Sequence, residues 1–163
     1  MSETTDLHTV AVDVGGLTLT RLETATVIGS VLSIISLVLP WASGLSGPVL
    51  GFEFTWLSPG FVAAAVIAIA LAVFDPHSRI RYAITAIIGV ALAAIGVILL
   101  LGVSSYAIYA GVGLVVFVIG GLLVTAGGYT ALIRETSTMK ATGVVCAGAL
   151  AVLVVGIVAA QVA

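Results

Sequence analysis

Residues 82–101 read Tyr82-Ala-Ile-Thr-Ala-Ile-Ile-Gly-Val-Ala-Leu-Ala-Ala-Ile-Gly-Val-Ile-Leu-Leu-Leu101. No charge interrupts the run, and about 20 apolar residues are what a helix needs to cross the hydrocarbon core of a bilayer. The same texture extends outward from it. Thr24 to Ala163 is nearly continuous apolar sequence, cut by charge at Asp75–Arg81 and Arg134–Lys140 and by an aromatic, Gly/Pro-rich loop at Trp41–Ser58. The 163 residues are 61% hydrophobic and 7% charged, with a mean hydropathy of +1.36. A soluble domain carries roughly 25% charged residues, so this chain has too few to cover a water-facing surface. The expected class is an all-α membrane protein, a five-helix transmembrane bundle with helices at about 24–40, 59–74, 82–101, 111–133 and 141–163.

Small residues mark the expected packing faces, because they let helix backbones approach closely in lipid. In the first helix Ala25, Gly29 and Ser33 recur every four residues. In the second, Gly60, Ala64, Ala68 and Ala72 form an unbroken ladder behind Pro59. Ala86, Gly89, Ala93 and Gly96 step along the third, and Gly113, Gly120 and Gly127 recur at seven in the fourth. Gly143, Ala147 and Ala151 share a face of the fifth.

The loop between helices 1 and 2 differs from everything around it. Leu50, Phe52, Phe54 and Trp56 alternate with Gly51, Glu53 and Thr55, which is strand periodicity. Gly44, Gly47 and Pro48 supply turn chemistry. A small extended or hairpin cap at the membrane surface is expected. Trp41, Trp56, Phe52 and Phe54 would anchor it at the headgroup level, where amphipathic rings are enriched; a docking surface is the competing reading.

Residues 1–23 form a polar tail. Val10, Val12 and Val14, then Leu17 and Leu19, alternate with other residues around Gly15-Gly16, the signature of a short hairpin. An isolated hairpin is marginal in water, so a flexible tail stays open beside it. The tail lacks a basic segment followed by an apolar one, so the first apolar run reads as an uncleaved anchor.

Five crossings put Arg21, Arg79, Arg81, Arg134 and Lys140, all the basic residues, on one side. Basic residues near helix ends stay cytoplasmic. The expected topology is N-terminus inside, aromatic loop outside and C-terminus outside.

Motifs for chemistry are missing. Within the spans and their outer loops the one ionisable acid or base is Glu53. Intramembrane ionisable groups usually mark ion or proton paths, so pumps and proton-coupled transporters are disfavoured. His8 and His77 have no second ligand at metal spacing. Arg79, Arg81, Arg134 and Lys140 read as topology determinants, with anionic lipid headgroups as the alternative role. Catalytic, metal and cofactor residues are expected to be none. The net charge of −2 lacks the clustered basic surface that nucleic acid requires.

Leu39-Pro40-Trp41, followed by a Gly-rich extended loop and a second helix, resembles small multi-pass membrane proteins of actinobacteria and haloarchaea. The resemblance covers roughly residues 24–74 and implies membrane placement, not an activity.

The expected function is a non-enzymatic structural or accessory subunit of a membrane assembly, in a prokaryotic cell membrane or a virion membrane. Its partners would be the lipid bilayer and either a second copy or another membrane protein. The alternative is a small-solute permease or channel lined by Ser30, Ser33 and Ser36.

Overall fold

The computed structural model describes residues 10–14, 17–44, 47–54, 58–74, 78–105 and 109–162. Side chains are described between Leu19 and Val152, apart from 45–46, 54–57, 75–77 and 103–108. The order is β1 (Val10–Val14), β2 (Leu17–Thr20), α1 (Arg21–Ser36), β3 (Pro40–Gly44), β4 (Gly47–Leu50), α2 (Gly51–Phe54), α3 (Ser58–Phe74), α4 (Arg79–Ser105), β5 (Tyr109–Ala110), α5 (Val112–Glu135) and α6 (Thr138–Val162). The protein is mostly helical. Two helices, α4 over Arg79–Gly102 and α5 over Val112–Glu135, are long and apolar enough to cross a membrane.

The tail is a hairpin over its described part. β1 and β2 pair antiparallel, Val14 opposite Leu17 and Val10 opposite Thr20; the Gly15-Gly16 turn lies outside the described residues. Thr20 then opens α1 with a capping box. Its hydroxyl accepts the Glu23 N–H at 3.3 Å, and the Glu23 carboxylate accepts the Thr20 N–H at 2.8 Å. Two backbone donors that a helix start leaves orphaned are thereby satisfied.

α4 begins at Arg79, three residues before the expected Tyr82. Ser78 is the reason: its hydroxyl accepts the Arg81 N–H at 3.3 Å and its carbonyl accepts the Tyr82 N–H. A serine cap of this kind carries the helix back over both arginines.

The loop expected to be extended to Trp56 divides in two. β3 and β4 pair antiparallel, with Gly47 at φ 108° in the turn region. Residues 51–54, expected as strand, form the short helix α2 instead. Leu37 and Leu39 carbonyls accept the Phe52 and Gly51 N–H groups, so the backbone bonds that a strand would need go back to the end of α1. The stretch expected as a plain turn at 102–110 also differs. Tyr109 and Ala110 form β5, paired with Ser43 and Ala42. The connections α1–α3 and α4–α5 thus join in one sheet of order β4-β3-β5.

This sheet marks one end of the bundle. At the other end lie the start of α1, the end of α3, the start of α4 and the end of α5, where Glu23, Ala72, Arg81 and Gly127 surround a common cavity. α6 starts at that same end, packing Ala141 and Val145 against Tyr82, Ala131 and Leu132.

Candidate functional site

α5 is the axis of the packing, and its glycines work on two faces. Gly113, Gly120 and Gly127 meet α1 and the segment after it. A β-carbon at Gly120 would lie 2.7 Å from the Gly29 carbonyl oxygen and would strike the Ser33 hydroxyl. At Gly127 it would meet Thr26 Oγ1 and, at 2.7 Å, the Leu22 carbonyl oxygen; at Gly113 it would meet Trp41 Cδ1 at 2.7 Å. Gly121 and Gly128, one residue on and so about 100° around the helix, meet α4. Their β-carbons would reach the backbone nitrogens of Ala93 at 2.6 Å and Ala86 at 2.5 Å. Gly89 is pressed against Thr125, and Gly96 against Val118 and Phe117.

Hydroxyls line the α1 side of this seam. Thr26, Ser30, Ser33 and Ser36 are all buried. Ser33 donates to the Gly29 carbonyl at 2.9 Å, Ser36 to Ser33 at 2.6 Å and Thr26 to Leu22 at 3.2 Å. They bond their own helix, as hydroxyls in apolar helices do. The Ser30 hydroxyl is buried with no bonding partner among the described residues.

The small-residue faces of α3 and α6 sit differently from expectation. α3 turns Phe61, Ala65, Ala68 and Ala72 inward, while Ala64 is half-buried and Gly60 is exposed with nothing within 4 Å of a β-carbon. In α6 the inward face is Ala141, Val145 and Ala149; Gly143, Ala147 and Ala151 point outward. Spacing alone does not choose the face: Ala141, Val145 and Ala149 have the same four-residue step as Gly143, Ala147 and Ala151 and lie on the inward side of α6.

Trp41 is the clearest correction among the aromatic residues. Expected at the headgroup level, its side chain is 0% exposed. Its indole N–H donates at 2.8 Å to the Ser36 carbonyl, which also accepts the Leu39 N–H at 3.1 Å. Its ring lies 5.0 Å from Phe117 and 6.3 Å from Phe61, centroid to centroid, and those two lie 5.1 Å apart. Gly51 and Gly113 leave room for the indole. Phe52 is about half exposed, as an anchor would be; Trp56 and the Phe54 side chain lie outside the described residues.

The basic residues at the other end separate into two kinds. Arg21, Arg134 and Lys140 are exposed, and Arg79 makes a loose 3.7 Å pair with Glu135 near the surface. Arg81, expected in a solvated loop, is buried and forms an ion pair with buried Glu23. Its guanidinium carbon also sits 4.7 Å over the ring of Tyr82. The Glu23 carboxylate is met by the Thr20 N–H and hydroxyl as well as by the Arg81 guanidinium. The sequence carries two local signals of these helix starts, though not of the pair itself: Thr20-Arg-Leu-Glu23 has capping-box spacing, and Ser78 stands three residues before Arg81.

No protein-family model, curated protein or solved structure matches the chain. The likeness carried by Leu39-Pro40-Trp41 therefore remains an expectation. Among the described residues no three His, Cys, Asp or Glu side chains gather at metal-binding distance.

Proposed function

We propose that this chain is a multi-pass integral membrane protein that acts by helix packing, as a structural or accessory subunit of a membrane assembly. One observation carries the reading. Large apolar side chains are exposed on every long helix: Ile28 and Ile35 on α1, Val66 and Ile67 on α3, Ile98 and Leu101 on α4, Val115 and Leu122 on α5, Val144 and Leu150 on α6. Apolar exposure on all sides is untenable in water and is what lipid solvates. α4 and α5 are the two strongest crossings, with α1, α3 and α6 as the other three. The basic residues gather at the end opposite the sheet, which supports that end as the cytoplasmic one. Gly143, Ala147 and Ala151, turned outward on α6, offer a close-contact face to a second copy or another membrane protein. The setting is a prokaryotic cell membrane or a virion membrane.

The permease reading is weaker, because the Ser33 and Ser36 hydroxyls bond within α1 and face a glycine seam.

Two measurements test the proposal. Single cysteines at Arg79 and Arg134, in a Cys146→Ser background, should label from one compartment, and cysteines at Ser43 and Tyr109 from the other. Mixed labelling overturns the topology. Native mass spectrometry from mild detergent should give more than one copy or a co-purifying membrane protein; a bare monomer counts against the subunit role.

A further inference from the structure

Three described cavities, of about 230, 220 and 410 Å³, lie among outward-facing helix surfaces and present mainly apolar walls from residues such as Ile88, Val145 and Val97. A fourth is different. It has a volume of about 10 Å³ and lies beside the Glu23–Arg81 pair where α1, α3, α4 and α5 converge. Glu23, Thr26, Arg81, Tyr82 and Thr85 all line it, and each is more than nine-tenths buried. Gly127 and Gly128 form another part of the wall.

We propose that this cavity is a binding site for a single internal water molecule, held by the Glu23–Arg81 pair together with Thr85 of α4. The volume fits one water, since about 10–15 Å³ is the least space that admits it. The chemistry agrees. Internal waters require two to four polar partners, and this wall offers a carboxylate acceptor, guanidinium donors and hydroxyls that do both. Cavities lined by hydrocarbon stay dry, so the three apolar cavities give the contrast within the same molecule. The water's role follows from burial: a desolvated ion pair is stabilising only when further hydrogen bonds surround both partners. This inference does not depend on the proposed subunit role.

The test uses the full chain in lipid nanodiscs or detergent. A crystallographic or cryo-electron-microscopic map that resolves solvent should show one peak within hydrogen-bonding distance of the Thr85 hydroxyl and of the Glu23 or Arg81 head group. Thr85→Val, which keeps the shape and removes the hydroxyl, should lose the peak and lower the unfolding temperature. Thr85→Ser should restore both. A dry cavity in the wild-type map overturns the proposal, as does a Thr85→Val protein that keeps the peak or unfolds at the wild-type temperature.

Discussion

The carboxylate of Glu23 touches the guanidinium of Arg81 although 58 positions of sequence separate them. One residue belongs to the first turn of α1 and the other to the first turn of α4, so the pair ties together two helix starts at one end of the bundle. Both partners are enclosed, which makes the pair asymmetric in its energetics. Removing one charge strands the other in a medium that cannot solvate it, at about 3–5 kcal/mol, whereas replacing both with apolar residues of similar volume is far milder. Glu23→Gln and Arg81→Gln should each lower the midpoint of SDS-induced unfolding strongly. Glu23→Met with Arg81→Met should lower it less than either single change, and additive losses would remove the pair from the account.

Gly120 and Gly143 make a contrasting pair of tests. Alanine gains about 1 kcal/mol over glycine in a helix interior. At Gly120 the new β-carbon meets the Ser33 hydroxyl and backbone of α1, and overpacking costs about 1–3 kcal/mol. Gly120→Ala should destabilise. Gly143→Ala, with nothing within 4 Å, should leave the isolated protomer unchanged or slightly more stable. Loss of self-association in Gly143→Leu, with the protomer still folded, would tie the outward α6 face to assembly.

Trp41 should behave as a core residue. Truncation to alanine removes a fully enclosed indole and its bond to Ser36, at about 3–5 kcal/mol. In a Trp56→Phe background its fluorescence should be insensitive both to iodide in the buffer and to brominated lipid. Quenching by either would place the ring outside the Phe61–Phe117 cluster.

The helices were legible because hydropathy is local: an apolar run between charges reads as a helix wherever its neighbours lie. The α5 glycines were legible for a related reason, since a spacing of seven returns to nearly the same face over two turns. Ladders of four were misleading, because in α6 the same step runs along both the inward Ala141–Val145–Ala149 face and the outward Gly143–Ala147–Ala151 face. What could not be read was long-range. Nothing within Arg79-Ile-Arg81 distinguishes the arginine that stays outside from the one that turns in, because Glu23 selects it. Trp41 carries interfacial chemistry, yet Phe61 and Phe117 enclose it from two other helices. Tyr109-Ala110 is too short to announce a strand, and it becomes one by pairing with β3.

That late pairing orders biosynthesis. Ala42 and Ser43 leave the ribosome well before Tyr109 and Ala110, and the Trp41 ring has no Phe117 to rest on until α5 has been made. Newly made α1 and α3 therefore have an open rim, and translation of α5 is the event that shuts it. Chains stalled before that point would lack Phe117, and with it one of the two rings that pack on the indole.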